Sequence, residues 1–315
     1  MKQNSFSTNF LDRASLKRSN EMWIKDQFNN GSARIIPVSH SKVFCTSIQN
    51  PRTIFFTIND LNDVSNAPEL SILLGISDKK TYFAIDIESV KSASILNDKN
   101  SGEFHDFKQV MPLLNFRDSA LLATARFMID WQSRNQYCGK CGTPTKSAQA
   151  GNLRICQNTN CGENHFPSMD PAIIVLVSFG EYCLLGRKKI WPKGMYSTIA
   201  GFVEPGESVE DAVIREVNEE TGVIVEKLEY QHSQPWLFPS SLMLGFTATA
   251  KGNEIKIDKN ELEDACWFSR KEIKDNLIKG LLRIPSKAAI AYYLIEEWFN
   301  KGDVGNLSEL VSNLE

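Results

Sequence analysis

The sequence predicts a mixed α/β protein built from more than one folding unit. Its 315 residues exceed a usual domain of about 100 to 200 residues, and 42% hydrophobic with 23% charged residues is an ordinary globular composition. Short β-rich runs come first, a segment rich in cysteine and glycine follows, and strand-like runs then alternate with amphipathic helices. The formal charge of −3 leaves no global basic field that would attract nucleic acid.

No segment of the sequence predicts export or membrane insertion. Residues 1–20 mix charged side chains with serine and asparagine and lack the apolar core of a secretory signal. The most apolar stretch, Ala172–Ser178, is far shorter than the roughly 20 residues that cross a bilayer. The chain ends in Asn313-Leu314-Glu315 rather than in a Ser-Lys-Leu peroxisomal address. We therefore expect a cytoplasmic protein without a membrane partner.

Residues 1–135 predict a β-rich domain that a helix closes. Strands are expected at Thr53–Ile58, Ser71–Ile76 and Thr81–Ile87, because β-branched and aromatic residues cluster there between turn-forming residues. Asp118 is the expected cap of the closing helix, since apolar residues then recur at helical spacing up to the end of this domain.

A short segment, residues 136–167, holds four of the seven cysteines. Cys138, Cys141, Cys156 and Cys161 follow the pattern C-x2-C-x14-C-x4-C, and nearby glycines permit the tight turns that bring each pair of thiolates together. This spacing is typical of a zinc ribbon. Four thiolates leave no coordination position for water, so we predict one structural zinc ion that supplies folding energy to a segment poor in apolar residues.

Other interpretations of the cysteines are four unrelated buried thiols, two disulfides or a redox CxxC. The odd number of cysteines and the absence of a signal segment favour reduced thiols over a disulfide framework. A zinc ribbon can also bind nucleic acid, but Lys140, Lys146 and Arg154 provide only a thin basic patch.

Residues 168–315 predict a second α/β domain. Its expected strands combine apolar runs with turn signals, and its two expected helices carry apolar residues at helical spacing. The expected strands are Ala172–Ser178, Tyr182–Gly186, Tyr230–Ser233, Leu242–Ala250 and Ala265–Phe268, and the expected helices are Ser208–Thr221 and Lys287–Phe299.

The first of these helices carries a cluster of acidic residues. The segment Gly201–Val223 follows the pattern G-x5-E-x7-R-E-V-x-E-E-x-G-V, which puts Glu216, Glu219 and Glu220 at positions i, i+3 and i+4 on one helix face. Like charges at this spacing repel one another, so cations among the oxygens would stabilise the cluster. Hard divalent metals such as Mg²⁺ and Mn²⁺ prefer oxygen ligands of this kind.

A solvated acidic helix face is the alternative, because three glutamates alone are a common surface feature. The residues around the glutamates favour a site. Gly201 and Gly206 permit a tight loop before the helix and Gly222 ends it. Arg215 is positioned to orient a carboxylate by bidentate hydrogen bonds, and Glu207 lies at or just before the helix start.

The 23-residue segment resembles the Nudix box at every position, and the chain is therefore similar to the Nudix hydrolases. The resemblance implies a C-terminal α/β/α sandwich and cleavage of a pyrophosphate linked to a further moiety. It also implies that Glu216, Glu219 and Glu220 bind several Mg²⁺ or Mn²⁺ ions and form the catalytic group, with Glu220 activating the attacking water.

A proline-containing segment, Ser233–Ser241, follows the acidic helix. Its two prolines restrict the backbone, so Trp236 and Phe238 can be presented to a planar ring at a low entropy cost. Packing of two aromatic side chains at a strand end is the alternative interpretation.

The zinc ribbon, the Nudix box and the Ser-Gln-Pro-Trp segment together resemble the NADH pyrophosphatase family, whose loop reads SQPWPFPxS. Leu237 replaces a proline of that loop, and Asn9–Ser15 resembles the opening of the family. The resemblance implies that the Ala200 carbonyl and Glu261 are further Mg²⁺ or Mn²⁺ contacts. It implies that the substrate-binding residues are Phe166, Phe202, Gln234, Pro235, Trp236, Leu237, Phe238, Pro239, Ser240, Ser241 and Ala291.

The activity implied by this resemblance is hydrolysis of NAD(H) to AMP and nicotinamide mononucleotide, with NADH preferred, and removal of NAD caps from RNA. The resemblance also implies a homodimer. Two alternatives remain open: a broader pyrophosphatase that acts on ADP-ribose or diadenosine compounds, and a nucleotide-binding module without turnover.

Overall fold

The computed structural model describes residues 4–60, 70–88 and 102–314. The chain divides into two compact units. The N-terminal unit comprises Phe6–Ser168 together with Leu237–Ser240, and the C-terminal unit comprises Met1–Ser5, Met169–Trp236 and Ser241–Glu315. Among the described residues, no helix is long and apolar enough to span a membrane.

The N-terminal unit is built on a five-stranded sheet with the strand order β3-β4-β1-β2-β5. The pairing of β1 with β4 is parallel, whereas the other neighbours are antiparallel. Its elements are α1 (Glu21–Asn29), β1 (Ala33–Ser39), β2 (Lys42–Cys45), β3 (Ser71–Ser77), β4 (Lys80–Asp86), β5 (Glu103–Asp106), α2 (Phe107–Val110) and α3 (Phe116–Arg134), with short 3-10 helices at Ser15–Lys17, Ile58–Asp60 and Met111–Leu113.

The sequence analysis did not predict α1, β1, β2 or β5, and two of its predictions for this unit differ from the structure. The predicted strand Thr53–Ile58 is wrong: Thr53 and Phe56 form isolated bridges only, and the segment then turns into a 3-10 helix. Helix α3 is capped by Asn115 rather than by Asp118, because the Asn115 side chain accepts a hydrogen bond from the Asp118 backbone N–H. Asp118 therefore lies in the first turn, where a carboxylate complements the helix dipole.

A small three-stranded sheet follows α3 in the same unit. It consists of β6 (Thr145–Ala148), β7 (Leu153–Cys156) and β8 (Asn164–His165), all antiparallel. Cys138 and Cys141 lie before β6, Cys156 is the last residue of β7, and Cys161 lies in the turn between β7 and β8. Gly142 and Gly162 adopt positive φ angles of 73° and 58°, which a residue with a Cβ rarely tolerates.

The C-terminal unit is built on a six-stranded sheet with the strand order β12-β13-β9-β10-β14, in which β11 also pairs with β9. Strands β9 and β13 are parallel, and the other pairs are antiparallel. The elements are β9 (Asp170–Phe179), β10 (Tyr182–Arg187), β11 (Ile199–Phe202), α4 (Val209–Thr221), β12 (Val225–Trp236), β13 (Ser241–Ala250), β14 (Asp264–Ser269), α5 (Arg270–Ile278), α6 (Ile290–Phe299) and α7 (Leu307–Ser312).

Strand β9 is buried on both faces because it lies between two layers of helices. Ile173 and Val175 pack with Val213 and other α4 residues in one cluster. Ile174 and Leu176 point to the opposite side, where they join a cluster with residues of α5, α6 and α7. A strand covered on both faces reads as a continuous apolar run, which is why Ala172–Ser178 stands out in the sequence. The arrangement confirms the predicted α/β/α sandwich.

The segment Ser233–Ser241 differs from the loop expected from its prolines. Ser233 through Trp236 continue β12, and Pro235 pairs with Leu242 of β13. Only Leu237–Ser240 forms the turn, and it belongs to the N-terminal unit. There the Phe238 ring stacks on Phe107, with ring centroids 5.3 Å apart. The two aromatic residues of this segment therefore lie in different units.

Candidate active site

Helix α4 begins and ends at residues that the sequence pattern marks. The Ser208 hydroxyl accepts a hydrogen bond from the Asp211 N–H, and the Asp211 carboxylate accepts one from the Ser208 N–H, which forms a capping box. Gly222 ends the helix with φ of 70°. The acidic residues of the last two turns are thereby fixed relative to β11 and the loop before the helix.

Arg215 forms hydrogen bonds with three carboxylates, those of Glu207, Glu216 and Glu219. Its Nε donates to Glu207 Oε1 at 2.5 Å, and its Nη1 donates to Glu216 Oε1 and Glu219 Oε2, both at 2.9 Å. Its Nη2 donates to Glu207 Oε2 at 3.0 Å and to the Phe202 carbonyl at 2.9 Å. These bonds use all five N–H donors of the guanidinium, so the group links β11 to α4 in a fixed geometry.

The guanidinium also affects the pKa of Glu207. Its hydrogen bonds lower the pKa of Glu207, and the same carboxylates raise the pKa of Arg215. Glu207 additionally accepts a hydrogen bond from the Glu204 N–H at 2.9 Å, which closes the loop before the helix. Glu207 is therefore an ionised anchor for Arg215.

Gly201 is required by a close approach rather than by its backbone angles. A Cβ built on Gly201 would lie 1.9 Å from Glu216 Cδ, so the carboxylate of Glu216 lies directly against the bare backbone of β11. Ala200 precedes this glycine and belongs to the same strand. A side chain at position 201 would displace the carboxylate.

Glu220 lies deeper than the other glutamates of the helix. Only 3% of the residue is exposed, and burial raises the pKa of its carboxyl to about 7. This value includes a downward contribution from Lys188 and smaller upward contributions from the negative charges of Glu216 and Glu261. The Lys188 Nζ lies 3.8 Å from Glu220 Oε1 and 3.9 Å from Glu261 Oε2. Glu220 is therefore a carboxyl group that titrates near neutral pH when no metal is bound.

A cavity of about 460 Å³ opens beside Glu220 within the C-terminal unit. Its wall brings together several residues that the sequence analysis placed in the site, from β11, α4, β12 and α6. They are Ala200, Glu220, Gln234, Trp236 and Ala291. Much of the remaining wall is apolar, which suits a ligand with a planar ring and a few polar groups.

Gln234 is held by backbone groups at the edge of this cavity. Its side chain is fully buried, Nε2 donates to the Ala288 carbonyl at 2.8 Å, and Oε1 accepts from the Ile290 N–H at 2.7 Å. Helix α6 has no side-chain cap of its own, so Gln234 satisfies one of its first N–H groups. A direct contact of Gln234 with substrate stays a prediction.

The remaining expected substrate residues are not in the cavity wall. Phe202 is 58% exposed at the end of β11, and Phe166, which belongs to the N-terminal unit, is 60% exposed. Leu237 and Ser240 are buried within the turn, whose chain is fixed by a hydrogen bond from Arg126 Nη1 to the Leu237 carbonyl at 2.6 Å. Their substrate contacts, like those of Pro235, Phe238, Pro239 and Ser241, stay predictions.

The donor set around α4 suits a hard divalent cation. Glu216, Glu219, Glu220 and Glu261 supply carboxylate oxygens, and two cationic side chains, Arg215 and Lys188, lie among them. The carboxylates are therefore arranged where positive charge is favourable. In the described part of the chain, the four clustered cysteines are the one group of three or more potential ligands whose atoms lie within 4.8 Å of one another, so the glutamates are spread more widely than a closed metal cage.

The cysteine cluster has the dimensions of a tetrahedral thiolate site. The sulfurs of Cys138 and Cys161 are 3.9 Å apart, and those of Cys141 and Cys156 are 3.4 Å apart. A tetrahedron with metal–sulfur bonds of about 2.3 Å has sulfur–sulfur edges of about 3.8 Å. The cysteines are free thiols rather than disulfides, and hydrogen bonds with Thr143 lower the pKa of Cys141 to about 6.

The basic residues of this segment are largely paired within it. Lys140 Nζ lies 3.2 Å from Glu163 Oε2, and Arg154 donates to the Thr145 hydroxyl and carbonyl. Two of the three basic residues counted as a nucleic-acid patch therefore have local partners.

Lys188 is the residue that the sequence analysis missed. It stands directly after β10 and is one of several lysines in a surface loop, so nothing in the local pattern distinguishes it. Its proximity to Glu220 and Glu261 depends on the tertiary fold, which brings the end of β10 near residues that are far from it in the sequence.

Comparison with known proteins identifies three successive segments. The chain matches the family models of the NADH pyrophosphatase-like rudimentary NUDIX domain at residues 32–131, the NADH pyrophosphatase zinc ribbon domain at 133–166 and the NUDIX domain at 169–286. The exact three-part division at 1–135, 136–167 and 168–315 stays a prediction.

Curated relatives resemble most of the chain. The human NAD-capped RNA hydrolase NUDT12 is 35% identical, with 94% of this chain and 73% of that protein covered. The human mitochondrial NAD(P)H pyrophosphatase NUDT13 is 40% identical over 76% of this chain and 74% of its own length. The NAD-capped RNA hydrolase NudC of Stutzerimonas stutzeri is 44% identical over 56% of this chain and 60% of its own length.

We predict that Gly201→Ala weakens divalent-cation binding. The added methyl group overlaps the Glu216 carboxylate, which must rotate away from β11 and from Arg215. Displacing a ligand in this way should lower Mn²⁺ affinity by about tenfold or more, measured by isothermal titration calorimetry. Gly252→Ala is the matched control, because a Cβ there meets nothing within 4 Å. Equal Mn²⁺ affinity in both variants would contradict this account.

We also predict that Glu220 makes the metal-free protein less stable as pH rises. The pKa of Glu220 is raised from 4.5 in the unfolded chain to about 7 in the folded protein, so between these pH values the folded state holds a proton that the unfolded state has released. The stabilisation from this bound proton is lost as the pH rises through this interval. The change in the free energy of unfolding should reach about 3 kcal/mol between pH 4.5 and 7. Thermal unfolding in EDTA, measured at several pH values, should show a flatter profile for Glu220→Gln. Glu210→Gln, an exposed neighbour on the same helix, should keep the wild-type profile.

Proposed function

The chain belongs to the NADH pyrophosphatase family of Nudix hydrolases, and from this premise we propose that it hydrolyses the central pyrophosphate of NAD(H). The products are AMP and nicotinamide mononucleotide. The observation that carries the proposal is the shared cavity, because Glu220, the Ala200 strand, Trp236 and Ala291 line the same wall. A carboxylate for the reaction and an aromatic side chain for a planar base thus lie within reach of one ligand.

Glu220 is the group we assign to water activation. A general base must lie within reach of the proton that it accepts, and Glu220 is the one carboxylate among the described residues of the cavity wall. In the proposed reaction, the water oxygen bonds to one phosphorus while its proton moves to the Glu220 carboxylate. The bond from that phosphorus to the bridging oxygen breaks, and the oxygen leaves with the other mononucleotide.

Several Mg²⁺ or Mn²⁺ ions are the cofactors we assign to the acidic cluster. Glu216, Glu219, Glu220, Glu261 and the Ala200 carbonyl would hold them, and the ions would neutralise phosphate charge and lower the pKa of the attacking water. Arg215 contributes indirectly, since it keeps Glu216 and Glu219 in position through hydrogen bonds of 2.9 Å.

Recognition of the dinucleotide is assigned to the aromatic residues. Trp236 lines the cavity, and Phe202 stands exposed at the end of β11 next to the site. We assign preference for NADH to these rings and to Phe166. The family resemblance supports this part of the proposal.

NAD-capped RNA is the second candidate substrate. It contains the same pyrophosphate, with an RNA chain extending from the adenosine side. The similarity to human NUDT12, named as an NAD-capped RNA hydrolase and matched along 94% of this chain, favours it. Cleavage of ADP-ribose or diadenosine compounds remains the broader alternative, because Leu237 replaces the family's proline beside Trp236.

The zinc ribbon has a structural role in the proposal. Four thiolates of Cys138, Cys141, Cys156 and Cys161 saturate a tetrahedral Zn²⁺ and leave no place for a reacting water. The family resemblance further supports a homodimer, and the cytoplasm is the location that we propose for it.

We predict that Glu220→Gln abolishes hydrolysis. The amide has the same shape but cannot accept the proton, so the rate should fall by about 10² to 10⁴-fold. Products from NADH, NAD⁺, ADP-ribose and NAD-capped RNA should be separated by chromatography with Mg²⁺ or Mn²⁺ present. Glu210→Gln is the control and should retain wild-type rates. Normal turnover by Glu220→Gln would refute the assigned role, and faster cleavage of ADP-ribose than of NADH would refute the substrate assignment.

We predict that Cys138→Ser releases one zinc ion per chain and destabilises the ribbon. Structural zinc sites in small peptides contribute apparent binding energies of about 10 to 16 kcal/mol, and the ribbon has few other apolar contacts to replace them. Metal content by inductively coupled plasma mass spectrometry and thermal unfolding should change together. Cys266→Ser, outside the cluster, should keep both values. A wild-type protein without zinc would contradict the assignment.

A further inference from the structure

Lys188 is the basic residue in the wall of the C-terminal cavity. Within the described residues that line it, Lys188 and Glu220 are the two with ionisable side chains. A pyrophosphate that enters this cavity therefore meets a buried carboxylate on one side and needs a compensating positive charge. Lys188 is the side chain available to supply part of it.

The backbone of Lys188 is fixed, whereas its side chain is not. The preceding Arg187 binds Glu263 Oε2 at 2.5 Å and the Pro192 carbonyl at 2.7 Å. The Lys188 carbonyl accepts from the Trp191 N–H at 3.0 Å. The side chain itself retains 36% of its exposure, so its ammonium group can move while its origin stays beside the cavity.

The present contacts of the ammonium group are loose. Its distances of 3.8 Å to Glu220 and 3.9 Å to Glu261 exceed the roughly 2.7 to 3.2 Å of an N–H···O hydrogen bond. The group is thus held between the two carboxylates by charge rather than by directed bonds. Exchange of these partners for phosphate oxygens would break no hydrogen bond of normal length.

Arg215 cannot take this role in its present arrangement. Its donors are committed to Glu207, Glu216, Glu219 and the Phe202 carbonyl. Another polar group near Lys188 does have spare capacity. The Thr198 hydroxyl is buried, lacks a hydrogen-bond partner among the described residues and belongs to a residue of the cavity wall.

We propose that Lys188 exchanges its carboxylate partners for the pyrophosphate of the substrate. Without metal, its ammonium group neutralises Glu220 and Glu261; when divalent cations take these carboxylates, it binds a phosphate oxygen as a flexible point charge. The proposal rests on the proposed function for the identity of the substrate, but the first half concerns the metal-free protein alone. Lys188 is therefore a substrate contact and, in the absence of metal, an internal counter-ion.

The test compares three full-length variants with the wild type. Lys188→Gln removes the charge, Lys188→Arg keeps it, and Lys189→Gln removes the charge of the exposed neighbouring lysine. The first measurement is Mn²⁺ binding without substrate, by isothermal titration calorimetry. Lys188→Gln should bind Mn²⁺ at least about threefold more tightly, because a competing cation has been removed. Lys188→Arg and Lys189→Gln should stay close to the wild type.

The second measurement is steady-state hydrolysis of NADH at saturating Mg²⁺. Loss of a charge-assisted contact to phosphate should raise the KM of Lys188→Gln by about tenfold, with a smaller change in kcat. Lys188→Arg should have a KM close to that of the wild type, because it keeps the positive charge. If Lys188 acted only through packing of its aliphatic stem, restoring the charge would not restore the KM. Circular dichroism and thermal unfolding verify that each variant is folded.

The outcomes separate this inference from the proposed function. Unchanged Mn²⁺ affinity in Lys188→Gln, or equal KM values for Lys188→Gln and Lys189→Gln, would overturn the exchange. If the wild type does not cleave NADH, the proposed function fails, and the Mn²⁺ comparison still decides whether Lys188 is the counter-ion of Glu220 and Glu261.

Discussion

The site depends on the guanidinium of Arg215. Five hydrogen bonds from one planar group tie Glu207, Glu216, Glu219 and the Phe202 carbonyl together, so the loop, β11 and α4 are positioned as one piece. Without this group the like-charged side chains of the helix would separate, since like charges at i and i+3 repel. Gly201 contributes because it has no side chain, which leaves the space in which the Glu216 carboxylate lies against β11.

Burial then gives the glutamates different chemical roles. Glu207 is kept ionised by Arg215, whereas burial raises the pKa of Glu220 to about 7. Glu207, just before α4, and Glu220, within α4, thus differ in proton affinity because of their surroundings. In the proposed hydrolysis, Glu207 is an anchor that stays charged, whereas Glu220 is the carboxylate of the cavity wall that accepts the proton of the water.

The sandwich supplies the rest of the cavity through its central strands. Strand β12 extends as far as Trp236 and carries Gln234, whose buried amide binds the first N–H group of α6. This contact fixes the start of α6 and with it Ala291. This part of the cavity wall is therefore built by a strand and a helix that a single buried side chain joins. The zinc ribbon is organised separately, by four sulfurs at tetrahedral distances.

The α/β/α sandwich was implied by the resemblance to the Nudix hydrolases, whereas the sequence by itself determined the alternation of strands and helices, the cysteine cluster and the acidic helix. These features depend on local periodicity, spacing and capping, such as the Ser208 cap and the Gly222 stop. Two expectations from the sequence were wrong. The strand expected at Thr53–Ile58 makes only isolated bridges, and Ser233–Trp236, expected as part of a proline-containing loop, is the end of β12. Only the tertiary structure decided the burial of Glu220, the anchoring of Gln234 and the position of Lys188 between two carboxylates. Each of these depends on distances between elements far apart in the chain, and such distances leave no periodic signal in the sequence.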